Sequence, residues 1–351
     1  MRASTLCLFL LGAACTAQPG DPADASGDTG TSSADTDTDT DTDTDGDADA
    51  DTDADTDADT DADADADTDT DTDADTAHTG LTEAEAVCAI WGGRDGLPHG
   101  SWSGSVATCD PGDLSADGRA SAVELWSIYR ALASHGPITT NPTLDANAQA
   151  CALIQDANGI LTHTPDASMT CYTPEGSQGA GSSNISPTDA VDAIDLYMAD
   201  PGNSTTLGHR RWLLSNGLNE VGIGATDSYS CHTVFGGAGG GTSTDWTAYP
   251  PPGPVPMGLW TASWANLDDT GWSLQSDGID LGQGTVTVTL DDGTVLPMTV
   301  TSLISGYGST YAISMIPSGW STEVGRTYSV SVTGLSQPIE YDVQPVDCAS
   351  L

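Results

Sequence analysis

The chain has 351 residues and sets 52 acidic side chains against seven arginines and no lysine, a formal net charge of −45. So acidic a chain has no basic patch with which to bind nucleic acid or anionic lipid through charge. The length left after the biased N-terminal region, about 270 residues, is enough for two domains.

The N-terminus opens with Arg2, an apolar run over residues 6–12 and the small residues Ala13 and Ala14 before Cys15. This is the pattern of a secretory signal over residues 1–14, too short to stay in a bilayer as a spanning helix. The order Leu11-Gly12-Ala13-Ala14-Cys15 resembles a bacterial lipobox, in which the cysteine becomes the acylated first residue of the mature chain. On that reading the protein is a lipoprotein of the bacterial outer membrane or cell surface, touching the membrane through a lipid at Cys15 only. An ordinary signal peptide, leaving a secreted chain, is the alternative.

Residues 15–80 follow as a tether. From 35 to 75 every odd position is Asp, with Thr, Ala or one Gly between. Side chains of one sign at that density repel and bury nothing, so the segment is expected to be disordered and to act as a spacer. Asp41-x-Asp43-x-Asp45-Gly46 opens like a calcium loop, but its twelfth position is Thr52 rather than Glu. At most it offers weak, collective calcium binding. Beyond the tether stand 28 acids and six arginines, a net charge of −22.

Residues 81–248 read as helices with a few strands. Leu125, Ile128, Tyr129 and Leu132 recur at helical spacing, as do Ala150, Leu153, Ile154 and Ala157, with Gly159 as a stop. A third helix is expected from Ser186 as N-cap, with Pro187 in its first turn, an apolar face of Val191, Ile194 and Met198, and an end at Pro201-Gly202. Short strands fit residues 220–225 and 230–235. The proline run after Tyr249 reads as a stiff connector. Residues 249–351 then alternate in the manner of strands at 285–290, 295–300, 311–316, 328–332 and 339–343, with turn signals between, which predicts an all-β, Ig-like sandwich.

Six cysteines remain beyond the signal region: Cys88, Cys109, Cys151, Cys171, Cys231 and Cys348. An even number in an exported chain reads as disulfides, and six allow 15 pairings. The chain has no Gly-x-Ser-x-Gly elbow, His-Glu-x-x-His helix or phosphate loop. Asp113-x-Ser115-x-Asp117-Gly118-x-x-Ser121-x-x-Glu124 fits the twelve-residue calcium pattern, although the same residue types are common just before any helix. His163, Asp200 and His209 form a dispersed set that could leave room for water on a divalent metal if they converged. Arg210 and Arg211, beside His209, are expected in an internal ion pair rather than on a ligand.

Several ordered motifs carry a family resemblance. Leu125-Trp126-Ser127-Ile128-Tyr129-Arg130 looks like the first helix of the CAP (SCP) superfamily, and the helix with Ala148, Cys151, Ala152 and Leu153 leading to His163 looks like the second segment. Ser183-Asn184-Ile185 stands where the family has Glu-Asn-Ile or Glu-Asn-Leu, and Tyr197-Met198-Ala199-Asp200 resembles its aromatic helix end. Gly208-His209-Arg210, then Glu220-Val221-Gly222-Ile223-Gly224, is similar to the bacterial Gly-His-Arg … Glu-Val-Gly-x-Gly pattern. The resemblance covers residues 112–236, and Ala248-Tyr249-Pro250-Pro251 before a sandwich is similar to bacterial members that carry this second domain. It implies an α/β fold, an α-β-α sandwich whose central cleft is lined by two histidines and two acids able to hold zinc or another divalent ion. Carried over, His163 and His209 are the histidines and Asp200 the second acid, while Ser183 replaces the first. A serine offers no charge to offset a dication. The expectation is therefore a surface module that binds an envelope component, a lipid or a protein. The alternatives are a metal-dependent, peptidase-like hydrolase using His163, Asp200 and His209 with Asn184 or Ser183 orienting substrate, and a structural adhesin acting through the sandwich.

Overall fold

In chain order the helices are α1 (Glu83–Gly92) and α2 (Ala116–Leu132), then after strand β1 (Thr139–Thr140) α3 (Pro142–Asn158) and α4 (Pro174–Ser182). Strand β2 (Ser183–Ser186), helices α5 (Ala190–Ala199) and α6 (Gly208–Leu213), and strands β3 (Glu220–Ala225) and β4 (Ser230–Thr233) complete the first half. This computed structural model describes residues 81–235 and 244–351. The signal segment, Cys15, the Asp-rich tether and its calcium-like loop lie outside the described residues.

The four strands form one sheet in the order β1-β3-β4-β2. Its two faces are set by the pleat. A Cβ on Gly222 would stand 2.3 Å from the Leu144 backbone, and one on Gly224 2.1 Å from the Gln149 nitrogen, so this face of β3 lies directly against α3. Val221 and Ile223 point the other way, into a cluster with Trp126 of α2 and Ile194 and Tyr197 of α5. The half is thus an α-β-α sandwich, as expected. Gly224→Ala should cost about 3 kcal/mol or more, because backbone rather than a movable side chain meets the new methyl. Denaturant unfolding checks this against Gly217→Ala, which has nothing within 4 Å.

Helix α3 ends at Gly159 in the left-handed region, as its sequence suggests. Helix α5 starts later than expected. Its N-cap is Asp189, whose Oδ1 accepts from Val191 N and Asp192 N at 2.9 and 3.0 Å, whereas Ser186 ends β2. A carboxylate reaching two orphan amides displaces the serine from the capping role.

The second half consists of β5 (Thr247–Tyr249), β6 (Gly253–Pro256), the short helix α7 (Leu267–Thr270), β7 (Trp272–Ser276), β8 (Thr285–Leu290), β9 (Val295–Leu296), β10 (Met298–Ser302), β11 (Tyr311–Pro317), β12 (Tyr328–Thr333) and β13 (Ile339–Val346). Two sheets, β10-β11-β7-β5 and β6-β13-β12-β8-β9, form the expected β region. The run at 295–300 is not one strand. Pro297 divides it, and β9 pairs with β8 while β10 pairs with β11 in the other sheet. Nor is the proline run a free connector. It leads from β5, at the edge of one sheet, into β6, which pairs parallel with β13 at the edge of the other. Edge strands tolerate the missing N–H groups of proline.

Among the described residues there are three disulfides, Cys88–Cys348, Cys109–Cys171 and Cys151–Cys231. The first joins α1 to the residues that follow β13, and the third pins α3 to β4. One continuous apolar core runs from Trp126 and Ile194 through Tyr249 to Trp272, Val330 and Val343. Among the described residues no helix is long and apolar enough to cross a membrane.

Candidate functional site

Helix α5 ends at Asp200, which adopts the left-handed conformation at the C-cap. Its carboxylate turns inward and is only 1% exposed. Oδ1 accepts from His209 Nδ1 at 2.8 Å and from Asn203 Nδ2 at 2.7 Å, and Oδ2 accepts from the Arg210 amide at 3.3 Å. The Tyr197 ring, one turn back on α5, lies 5.0 Å from the His209 ring. A carboxylate opposite Nδ1 places the proton on that nitrogen and leaves Nε2 as the ligand-type nitrogen. Asp200 therefore orients an imidazole rather than standing beside it as an equal metal ligand.

The other predicted histidine meets the same stretch of chain. His163, half-buried in the turn after α3, donates from Nδ1 to the Ala180 carbonyl of α4 at 2.9 Å. Four residues further on, Asn184 of β2 donates from Nδ2 to the His209 carbonyl at 3.1 Å. Both histidines are thus anchored to the α4–β2 segment. Ser183 and Asn184 alternate across β2. Ser183 lies 3.1 Å from Thr233 Oγ1 across the strand pair, and Asn184 faces α6. Both are buried, so neither meets solvent as a group free to orient a substrate.

Among the described residues, one group of three His, Cys, Asp or Glu side chains brings its ligand atoms within 4.8 Å of one another, and it is His99, Asp189 and Asp192. His163, Asp200 and His209 do not form such a group. The donor set is thus two imidazoles with their Nδ1 atoms engaged, one carboxylate already engaged by His209, Asn203 and the Arg210 amide, and a serine. That falls short of the three-ligand sites of catalytic zinc and does not fit the implied ion. The calcium-like pattern at 113–124 is a helix start: α2 begins at Ala116, which carries Glu124 two turns along the helix, and Asp113 pairs with Arg119.

Arg210 and Arg211 do act internally, but not in the expected ion pair; their hydrogen-bond partners are carbonyls and hydroxyls. Arg210 donates to the Met198 and Ala199 carbonyls at the C-terminus of α5, to the Gly271 carbonyl and to the Ser273 and Thr270 hydroxyls. Arg211 donates to the Thr206, Ile304 and Ser309 carbonyls. Arg130, matching the arginine of the first family helix, donates to the carbonyls of Gly136, Leu213, Ser215 and Leu218. Burial pushes Arg130 and Arg211 down to about 10, which leaves both charged at neutral pH.

Three described histidines carry no signal in the sequence: His232, His99 and His135, the last buried with Nε2 3.0 Å from Thr247 Oγ1. His232 of β4 is fully buried, stacked on Trp126 and edge-on to Tyr197, and burial holds it down at about 3. The alternating strand pattern marked β4 but not the face on which His232 sits. His99 lies 3.0 Å from Asp189 and 3.8 Å from Asp192, and the hydrogen bond to Asp189 is the main influence raising its affinity for a proton. Its contact with α5, 90 residues on, leaves no local signature.

Residues 123–236 match the model of the cysteine-rich secretory protein family, CAP. The chain carries a CAP domain. Searches of the curated proteins and of the solved structures found no match. CAP proteins form a broad extracellular family, and the three disulfides fit an exported protein. The matched range takes in His163, Ser183, Asp200 and His209, the residues that the sequence resemblance sets at the family's cleft positions.

Proposed function

We propose that this protein is a cell-envelope lipoprotein, anchored through Cys15, whose CAP domain binds a neighbouring envelope component without turning it over. The observation that carries the reading is the engagement of Asp200 by His209, Asn203 and the Arg210 amide, together with Ser183 where the resemblance sets the first acid. A hydrolase needs a metal-bound water or an activated nucleophile; the carboxylate beside His209 is already engaged, and Ser183 bonds to Thr233 rather than to a base. The adhesin reading draws less support, because the β region shares its core with the CAP domain and is held to it by Arg210, Arg211 and the Cys88–Cys348 bridge. The Asp-rich tether would hold this body away from the membrane and repel anionic surfaces.

Two assays test the proposal. Purified full chain should leave peptide and ester substrates uncleaved, with or without added zinc; cleavage that disappears in His209→Ala overturns it. Cys15→Ser should move the protein from the membrane fraction to the soluble exported fraction, and retention of the variant on membranes removes the anchor.

A further inference from the structure

Trp264 is 80% exposed, whereas each of the other eight tryptophans is buried or half-buried. An indole left in water contributes nothing to the core, and this one does not stand alone. It forms one wall of a groove of about 280 Å³ whose other walls are Pro201 and Ser204, just past the end of α5, Asn266 and Asp269 of the α7 segment, and Ile316 of β11. Asp200 closes the groove on the CAP side, so the groove backs onto the carboxylate that holds His209.

The lining selects a ligand class. Asp269 is the charged group that the groove presents, since the Asp200 carboxylate turns inward, and no arginine lines it. All six arginines of the described residues are engaged elsewhere: Arg94 with Asp195, Arg119 with Asp113, Arg326 with Asp291, and Arg130, Arg210 and Arg211 with carbonyls. An anionic ligand would meet repulsion and no counter-charge. A quaternary ammonium would call for a cage of several rings, and Trp264 is the one aromatic wall. A single flat apolar face, with hydroxyl, amide and carboxylate groups beside it, is what a pyranose requires. The C–H face of the sugar covers the indole while its hydroxyls bond to the rim. Asn266 uses Oδ1 to cap α7, accepting from Asp268 N at 2.8 Å, which fixes its amide at the groove wall.

We infer that the groove beside Trp264 binds a neutral saccharide, one or two rings of a glycan chain, and that this groove is where the CAP protein meets its envelope partner. The inference rests on the binding-module reading above, but the two fail separately: absence of saccharide binding leaves the hydrolysis result untouched.

The test is saturation-transfer NMR on the full chain with chitotriose, maltotriose and mannotriose as neutral probes and sialyllactose as the anionic one. At least one neutral trisaccharide should receive saturation on its ring protons. Trp264→Ala should weaken that binding by about tenfold or more, Trp264→Phe should keep most of it, and Asp269→Asn should weaken it less than the alanine variant does. Trp264 packs into no core, so circular dichroism and the melting temperature should stay at wild-type values in all three variants. Wild-type protein that binds none of the neutral probes overturns the inference. So does undiminished binding by Trp264→Ala, or a preference for sialyllactose.

Discussion

Replacing Arg210 with methionine should lower the free energy of unfolding by about 4 kcal/mol or more, the largest effect expected of any single side chain in the family motif. The guanidinium is fully buried. It caps the C-terminus of α5 through Met198 and Ala199, where the last carbonyls of a helix have no partner of their own and the helix dipole is negative. From the same position it reaches Gly271 of the β region. Methionine fills a similar volume and removes a buried charge, which offsets part of the loss. It also leaves three buried carbonyls without donors, each costing about 1–3 kcal/mol, while the Ser273 and Thr270 hydroxyls can rotate to other acceptors. The ring of Tyr249, 5.1 Å from the guanidinium carbon, loses its cation as well. Denaturant unfolding measures the loss. Arg326→Met, which breaks an exposed pair with Asp291 and Asp292, should move the midpoint far less. Equal shifts in the two variants would contradict the assignment of Arg210 as the staple between the halves.

Acid should destabilise the fold steeply between about pH 6.5 and 4, and His232 should account for much of that slope. His232 is held at about 3 and His135 at about 4, in both cases chiefly by burial, against 6.5 for a free imidazole. A folded-state value below the unfolded one means that the unfolded chain takes up the proton first. The stability of each neutral histidine is therefore whole above about 6.5 and drains as pH falls toward the folded value. The slope is about 1.4 kcal/mol per pH unit for each histidine, so the pair removes about 4–5 kcal/mol over the first two units. Asp195, raised by burial, and His99, raised by Asp189, act in the opposite sense. The informative quantity is thus the difference between the wild type and His232→Leu. The variant should lose about half the slope and, at pH 7, be as stable or more so, because neither ring nitrogen of His232 has a hydrogen-bond partner. An unchanged slope would show that His232 is not the buried neutral group described.

The parts of this fold that were legible in sequence are those where local chemistry and packing agree. Helices α2 and α3 carry unbroken apolar periodicity, and Gly159 ends α3 where the left-handed conformation is needed. The strands of the β region alternate because one face of each is buried. Helix α4 was missed because Pro174–Ser182 contains three glycines, which lower intrinsic helix propensity. Those glycines serve packing: a Cβ on Gly179 would stand 2.2 Å from the Asn147 carbonyl of α3. Tertiary contact overrides propensity there. Likewise, the proline run reads as a linker because prolines cannot donate, and edge positions remove that objection.

At the site, sequence order singles out His163, Asp200 and His209 as candidates. It could not supply directions. Whether Asp200 would face an ion or the ring of His209 depended on its left-handed backbone and on Asn203 and Arg210 closing around it. The groove beside Trp264 draws on segments more than 50 residues apart, and no periodicity or motif joins them in sequence.

The most direct test of this account is a zinc titration followed by native mass spectrometry on the full chain purified without chelators, run beside the double variant His163→Ala, His209→Ala. Because His163, Asp200 and His209 do not gather their ligand atoms around one point, they should hold no tight zinc, so wild type and double variant should retain the same number of ions and melt at temperatures equally insensitive to zinc. One zinc per chain that is present in the wild type, absent from the folded double variant, and raises only the wild-type melting temperature would contradict it.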